Sequence, residues 1–512
     1  MVGSSARWLA VGTALALITL VSACVQPPAQ SAGTASAAPK SGGTLRVGIA
    51  TDVLTLDLPN FQSAQDLQVG DQIFDTLVGY DKDLRIQPRL AESWKQVDDT
   101  TYQFTLRKNV KFEDGTPLNA AAVKTHFDRA RTGQRQSSYY NAIESVTAID
   151  DLTVGFKLKS PFAAFLQNLA LATGGIESPA ALNTFASDIA HHPVGTGPYK
   201  LSEWVPGVRV VLERNPDYWG SKPKLDKVVF TFLQDESVRM AGLDAGEQDV
   251  IQNAPPQRIA GLKSSSTLQL ITGPYSQSFF LGMTATNPLL KDIRVRQAIA
   301  MTIDSKALVE GVTDGVVRIA TGFVPPELMP ITSKPIQHDP TKAKQLLADA
   351  GYANGLTIDL WTPNGRYLRD KEIAEVIQAQ LKPIGIDATI KVLEYPAFVA
   401  GLGRHEAGLF LLGWQQTASP DTMLRAVFLS KSPINWSAYS NPKVDQLLDQ
   451  AVGQPSFEKA VPLWQQADQA LLDDVAGVPI YWSVLLYAGN RKVHDFLVDS
   501  LGNLNLVNTW IE

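Results

Sequence analysis

The chain has 512 residues, with 45 Lys and Arg against 51 Asp and Glu for a formal net charge of −6. At 45% apolar and 19% charged residues it is too apolar for disorder and long enough for roughly two to four domains. The mixed, mildly acidic charge leaves no footprint for nucleic acid, and the one cysteine, Cys24, excludes an intrachain disulfide, a thiolate zinc cluster or a CxxC pair.

At the start, Trp8–Leu20 is a thirteen-residue apolar run behind a single positive charge, Arg7. A bilayer span needs ~20 apolar residues, so this run suits the core of a signal peptide rather than an anchor. The next four residues, Val21-Ser22-Ala23-Cys24, resemble the lipobox of bacterial lipoproteins. That resemblance implies a signal peptide over 1–23, cleavage before Cys24 and a lipid on its thiol. Residues 24–41 then form a flexible tether of Ala, Ser, Pro, Gln and Gly. No later stretch reaches ~18 consecutive apolar residues. The expected location is extracytoplasmic, anchored to a membrane through Cys24.

From Gly42 onward short strands alternate with amphipathic helices. Leu45–Ala50 reads as the opening strand; Tyr102–Leu106, Val154–Leu158 and Val208–Leu212 follow. Asp114-Gly115-Thr116-Pro117 is turn chemistry, and Asn119 caps a helix beginning at Ala120. Gly195-Thr196-Gly197-Pro198 is a second forced turn, without the spacing of a phosphate loop. Arg294 and Arg296 read as a solvated helix face. Asp339 caps a helix with Ala343, Leu346, Leu347 and Ala350 inward and Gly351 at its end. Ile373, Val376, Ile377 and Leu381 form another apolar stripe, as do Val444, Leu447, Leu448 and Ala451 behind Asn441-Pro442. A strand-rich first half and an alternating second half predict two α/β lobes of different build.

Several segments, in order along the chain, resemble the family 5 extracytoplasmic solute-binding proteins of ABC importers, the peptide, opine and nickel class. They are Gly42-Gly43-Thr44-Leu45-Arg46-Val47, Leu90-Ala91-Glu92-Ser93-Trp94 with Phe112–Ala120, Gly195–Tyr199 with Glu213–Trp219, Asp292–Ile299, and Gly413-Trp414. The resemblance implies an α/β, two-lobed periplasmic-binding-protein-like clamp of type II, in the large class with an extra subdomain. Lobe I would hold 42–280, with an inserted subdomain near 82–190, and regain the chain at 490–512. Lobe II would run over 281–489, with hinge crossings near Phe279-Phe280 and Asn490. The implied partners are a small solute, an oligopeptide or similar, and the permease subunits of the transporter. No cofactor, metal or nucleic acid is expected, and the protein is read as a monomer.

Aromatic and short polar residues on loops at strand ends are the candidate ligand groups. Leu411–Asp421 reads as a buried strand ending in Gly413-Trp414 and then a polar loop. In peptide-binding members an Asp three residues beyond that Trp pairs with the ligand amine; here the position is Thr417. Either Asp421 takes the role, or the solute has no such amine. The resemblance also places a basic residue for the ligand carboxylate on the Trp361–Tyr367 loop, where Arg366 lies nearest, beside Tyr367. Tyr275 approaches the hinge. The resulting expectation is that Asp421 and Arg366 bracket a polar or zwitterionic solute against Trp414.

Other classes fare worse on the residues. Ser440-Asn441-Pro442-Lys443 has SxxK spacing, but no KTG element follows it, and no GxSxG or HExxH occurs. An envelope hydrolase is therefore the lesser reading, and a purely structural envelope lipoprotein is a third. None of the six histidines falls in a candidate loop, and His191-His192 is read as loop rather than metal site, which disfavours nickel. Opine and oligosaccharide solutes stay open.

Overall fold

The computed structural model describes residues 39–81, 83–132, 135–417 and 419–512. Cys24, the signal segment and most of the tether lie outside the described residues.

The first strand, Thr44–Ile49, runs parallel to both Lys227–Phe232 and Val250–Gln252. Covered on both sides, it places Leu45, Val47 and Ile49 in a core with Val69, Ile73 and Phe230. Arg46 anchors it: its Nε and Nη2 donate to the two carboxylate oxygens of Asp249 at 2.9 and 2.6 Å. Arg209–Arg214 and Tyr199–Val205 extend this half of the sheet antiparallel. In the second half, Leu356–Pro363 lies parallel between Ile386–Leu393 and Leu409–Gln415. Its two faces carry separate cores, one around Leu360, Ile377 and Leu411, the other around Phe398, Leu412 and Trp464.

Two long antiparallel strands, Leu268–Met283 and Gly477–Asn490, join the halves. Leu268–Pro274 pair with Val484–Asn490, and Val250–Gln252 adds to that end. Ser278–Gly282 pair with Gly477–Trp482, and Leu409–Gln415 adds there. Between Pro274 and Ser278 the register shifts. Pro274 has no N–H to give to a ladder, so pairing is interrupted where the strand contains it. Ser276 spans the gap: its N–H donates to the Ser500 carbonyl at 2.8 Å, and its own carbonyl accepts the Gln416 N–H at 2.5 Å. The ladder between the two strands is thus irregular at two places, 274–278 and the Phe279-Phe280 step that the resemblance implies for a hinge crossing. Phe279 is already inside the second half, stacked on Tyr481 at 4.6 Å, and Asn490 ends its strand against Leu268 in the first.

A four-stranded sheet of Ala91–Asp98, Thr101–Leu106, Thr153–Leu158 and Ile143–Ala148 forms a subdomain with its own core, around Phe104, Phe127, Phe156 and Phe165. After Asn490 the chain returns to the first half, where Leu504 and Leu506 join its core.

The motifs resolve into packing roles. Asn119 caps its helix through the Ala122 N–H at 2.9 Å. Gly115 has φ +85°, as the Asp114 turn requires. The Gly195–Pro198 segment needs glycine for a different reason than turn dihedrals. A Cβ on Gly195 would lie 1.9 Å from the Ile73 carbonyl oxygen, and one on Gly197 2.5 Å from it. The segment crosses the end of the Ala64–Ile73 helix, and the Gly197 N–H caps it at 2.8 Å. Thr196 and Trp219, from two separate motifs, both donate to Asp75, at 3.0 and 2.7 Å. Arg294 does pair on the surface with Asp292, but Arg296 is not a solvated side chain. Its Nη2 donates to the Asp474 carbonyl and its Nη1 to that of Leu290, both at 2.8 Å, so it ties a helix to a loop.

Gly195→Ala is expected to lower unfolding stability by about 2 kcal/mol or more, because backbone on the other side cannot give way. Gly115→Ala, which meets open space but keeps a positive φ, should cost about 1–2 kcal/mol. Urea unfolding midpoints check both; equal effects would remove the close-approach explanation.

Candidate ligand-binding cleft

A cleft of about 850 Å³ opens at the break between the two long strands. Strand alternation decides what enters it. Leu411 faces one core of the second half and Leu412 the other. Continuing along that strand, Gln415 reaches the cleft, whereas Trp414 turns with Leu412 into the opposite core. Gly413 is bare because the Tyr367 ring occupies its face; a Cβ there would sit 2.5 Å from the ring. The Tyr367 hydroxyl donates to the Gly413 carbonyl at 3.1 Å, which fixes the ring at the cleft wall.

The loop before Tyr367 is organised by Asp370. Its carboxylate accepts the N–H groups of Gly365, Arg366 and Tyr367 at 3.1, 2.8 and 3.0 Å. Arg366 is thereby held at the cleft, its guanidinium 4.9 Å from the Tyr395 ring and 6.0 Å from that of Tyr367. Among the described residues it forms no ion pair. Tyr275 stands on the cleft floor; burial pushes its phenol up to about 12, and the nearby positive charge of Arg366 opposes that rise.

The rest of the wall is largely uncharged. Gln62, Gln65, Gln68, Gln136, Gln252, Gln277 and Gln415 all line it, and the charged lining residues are Glu236, Arg239 and Arg366. Arg239 is committed elsewhere, its Nε and Nη1 donating to the carbonyls of Gln252, Leu233 and Gln234. Such a cavity offers amide and phenol hydrogen bonds along its length and one free guanidinium. Those groups complement a polar, amide-bearing molecule with a carboxylate. Among the described residues no group of three or more His, Cys, Asp or Glu is placed to hold a metal ion.

Residues 85–436 match the bacterial extracellular solute-binding proteins, family 5 Middle. The chain belongs to this family. It is 32% identical over 468 residues to the glutathione-binding protein GsiB of Escherichia coli O157:H7, covering 88% of this chain and 91% of that protein. The same figures hold for GsiB of Shigella dysenteriae serotype 1. HbpA2 from Haemophilus parasuis superposes with a TM-score of 0.82 at 26% identity, over 92% of this chain and 100% of that one. The periplasmic binding protein DppA from Helicobacter pylori, in complex with the peptide STSA, gives 0.72 at 27%, over 92% and 99%. The architecture is accordingly the two-domain α/β fold of periplasmic binding proteins. Among the described residues no helix is long and apolar enough to cross a membrane.

In this member of the family the cleft gathers Tyr275, Arg366, Tyr367 and Thr417, but neither Trp414 nor Asp421 lines it. Trp414 meets Trp436 edge-on at 6.2 Å, and its Nε1–H donates to the Thr422 carbonyl at 2.9 Å. Asp421 begins the Asp421–Phe428 helix, accepts from Trp464 Nε1 at 3.4 Å and faces Arg425 at 3.6 Å. The expected bracket of Asp421 and Arg366 against Trp414 is therefore not assembled. Ser419 and Pro420 are buried and carry the chain inward past the cleft, so the helix starts inside the core. The glutamine wall had a signal that periodicity reading passed over. Gln65 and Gln68 of the wall, with Gln72 one turn further on outside the cleft, recur at helical spacing and are all buried, a polar stripe where an apolar one is usual. Gln65 donates to Gln252 at 2.9 Å, and Gln68 and Gln72 donate to the carbonyls of Gly502 and Leu504.

Burial raises the Asp421 carboxyl to about 6, so the folded chain keeps a proton that the unfolded chain releases near its ordinary value of 3.8. Its contribution to stability therefore falls as pH rises through that window and stays low above it. Asp421→Asn should flatten this fall in unfolding midpoints measured between pH 4 and 7, and leave solute affinity within twofold of wild type. A large loss of affinity would put Asp421 back in contact with the solute.

Proposed function

We propose that this chain captures a short peptide-like solute bearing a free carboxylate and hands it to the permease of an ABC importer. The supporting observation is the Arg366 guanidinium, held by an Asp370-organised loop at the mouth of an amide- and tyrosine-lined cleft, with no carboxylate of its own. The relatives point the same way, since GsiB is named for glutathione and the DppA structure holds a peptide. Both contain a carboxylate and at least two amides; both also carry a free amine, for which Glu236, not Asp421, is the carboxylate in the cleft lining. Because the cleft walls come from both halves, solute touches both only when they approach, and binding then favours the closed arrangement. The lapse in the ladder between Pro274 and Ser278 is the place where such a movement meets least resistance. The protein acts as a monomeric binding component without catalysis. Cys24 would be the lipid anchor that keeps it at the outer face of a membrane.

Calorimetric titration with glutathione and with the peptide Ser-Thr-Ser-Ala tests the reading. One of them should bind with micromolar affinity, about −8 kcal/mol. Arg366→Ala should weaken that binding at least tenfold, about 1.4 kcal/mol. The amidated form of the solute should bind wild type as weakly as the acid binds the variant. Affinities within twofold for Arg366→Ala would overturn the carboxylate assignment.

The anchor is tested separately. In cells making Cys24→Ser the protein should move from the membrane fraction to the soluble extracytoplasmic fraction. Retention in the membrane fraction would mean that something other than a lipidated thiol holds it.

A further inference from the structure

The groups that the cleft leaves unspent differ in kind between its two walls. On the first half, the Gln252 Oε1 accepts both the Ala50 N–H at 3.3 Å and the Gln65 Nε2 at 2.9 Å, which fixes the direction of both amides. Gln68 is fixed likewise, its Nε2 donating to the Gly502 carbonyl at 2.7 Å. What Gln65 and Gln68 keep without a partner among the described residues is therefore an acceptor, the Oε1 of each, on the wall they line. The same half supplies Glu236, the only carboxylate among the described lining residues. Glu236 is exposed, forms no ion pair among the described residues, and accepts only the Gln257 amide, at a long 3.5 Å. Arg239, three residues on, does not neutralise it, because its Nε and Nη1 are turned to the carbonyls of Gln252, Leu233 and Gln234.

The second half presents the complement. Its charged lining residue is Arg366, a pure donor whose side-chain N–H groups are unused among the described residues. It brings no carboxylate to the cleft, since Thr417 stands in the lining and Asp421 lies in the core against Trp464. Acceptors and a carboxylate on one wall, and a guanidinium on the other, give the cleft a direction. An ammonium only donates and a carboxylate only accepts, so each end of a zwitterion has one wall that can serve it. Such pairs are weak while water fills the cleft and strengthen as the halves approach and expel it.

We infer that the cleft selects for a free ammonium on its solute and holds the solute in one direction, ammonium at Glu236 on the first half and carboxylate at Arg366 on the second. This rests on the reading that the cleft takes a short solute with a carboxylate. It adds that the solute is a zwitterion whose two ends join the two halves.

Calorimetric titration of the full chain with Ser-Thr-Ser-Ala and with glutathione, each also in its N-acetylated form, tests the assignment. The solute that binds should lose at least fivefold in affinity on acetylation. Glu236→Gln should lose at least fivefold for the free amine and bind the acetylated form within twofold of wild type. Glu247→Gln, at an exposed carboxylate of the same half outside the lining, should change neither. Arg366→Ala should bind both forms more weakly and keep the preference for the free amine. Equal binding of the free and acetylated forms by wild type, or an equal effect of Glu236→Gln on both, would overturn the ammonium assignment and leave the carboxylate reading standing. Failure of both solutes to bind wild type, or unchanged affinities in Arg366→Ala, would overturn that reading and this inference with it.

Discussion

The structure depends on a lapse in the ladder of the two long strands that join its halves. Leu268–Met283 and Gly477–Asn490 carry hydrogen bonding from the first half of the molecule to the second, and between Pro274 and Ser278 that ladder lapses. A sheet running unbroken through both halves would resist bending, because every ladder bond would have to distort together. Proline within the strand removes a donor where flexibility is wanted, and Ser276 replaces the lost pairing with one bond to each side. The cleft opens at this point, where Tyr275 and Ser276 lie between the last pair of one ladder and the first of the next.

Around that break, polarity is placed rather than merely tolerated. Buried Gln65 and Gln68 on the Ala64–Ile73 helix are held by tertiary hydrogen bonds to Gln252 and to the Gly502 carbonyl of the returning C-terminal segment. They therefore present a rigid, uncharged, hydrogen-bonding wall with little cost of ordering on ligand binding. Of the charged lining residues Arg239 is bonded to backbone carbonyls, whereas Asp370 clamps the loop backbone and leaves the Arg366 side chain free for a ligand. The exposed guanidinium lies 4.9 Å from the Tyr395 ring and 6.0 Å from that of Tyr367, within reach of cation–π attraction to both.

The family's recognisable stretches mostly serve the first half's packing. Gly195 and Gly197 let a loop cross a helix end at backbone distance, and Thr196 and Trp219 meet on the buried Asp75. Burial raises that carboxyl, and its donors together with Arg89 offset part of the rise. A motif can therefore mark a family without touching its ligand. The ligand wall is built from residues that no motif contains, which is why one scaffold can serve different solutes.

What the residues alone determined was local. Caps at Asn119, Asp339 and Asn441, and the apolar stripes of their helices, were legible because a helix writes its buried face into a fixed spacing. So were the strands around Val47, Phe104 and Val154, and the loop bearing Arg366 and Tyr367 at the end of a buried strand. Tertiary structure alone decided which side of the Leu409–Gln415 strand meets the cleft, and so put Gln415 there and Trp414 in the core. It also drew Asp421 inward to Trp464 and Arg425, and gave Arg296 its backbone partners. Strand periodicity distinguishes two faces but not which of them is covered by a neighbouring core, and that choice is made by contacts between residues far apart in the chain.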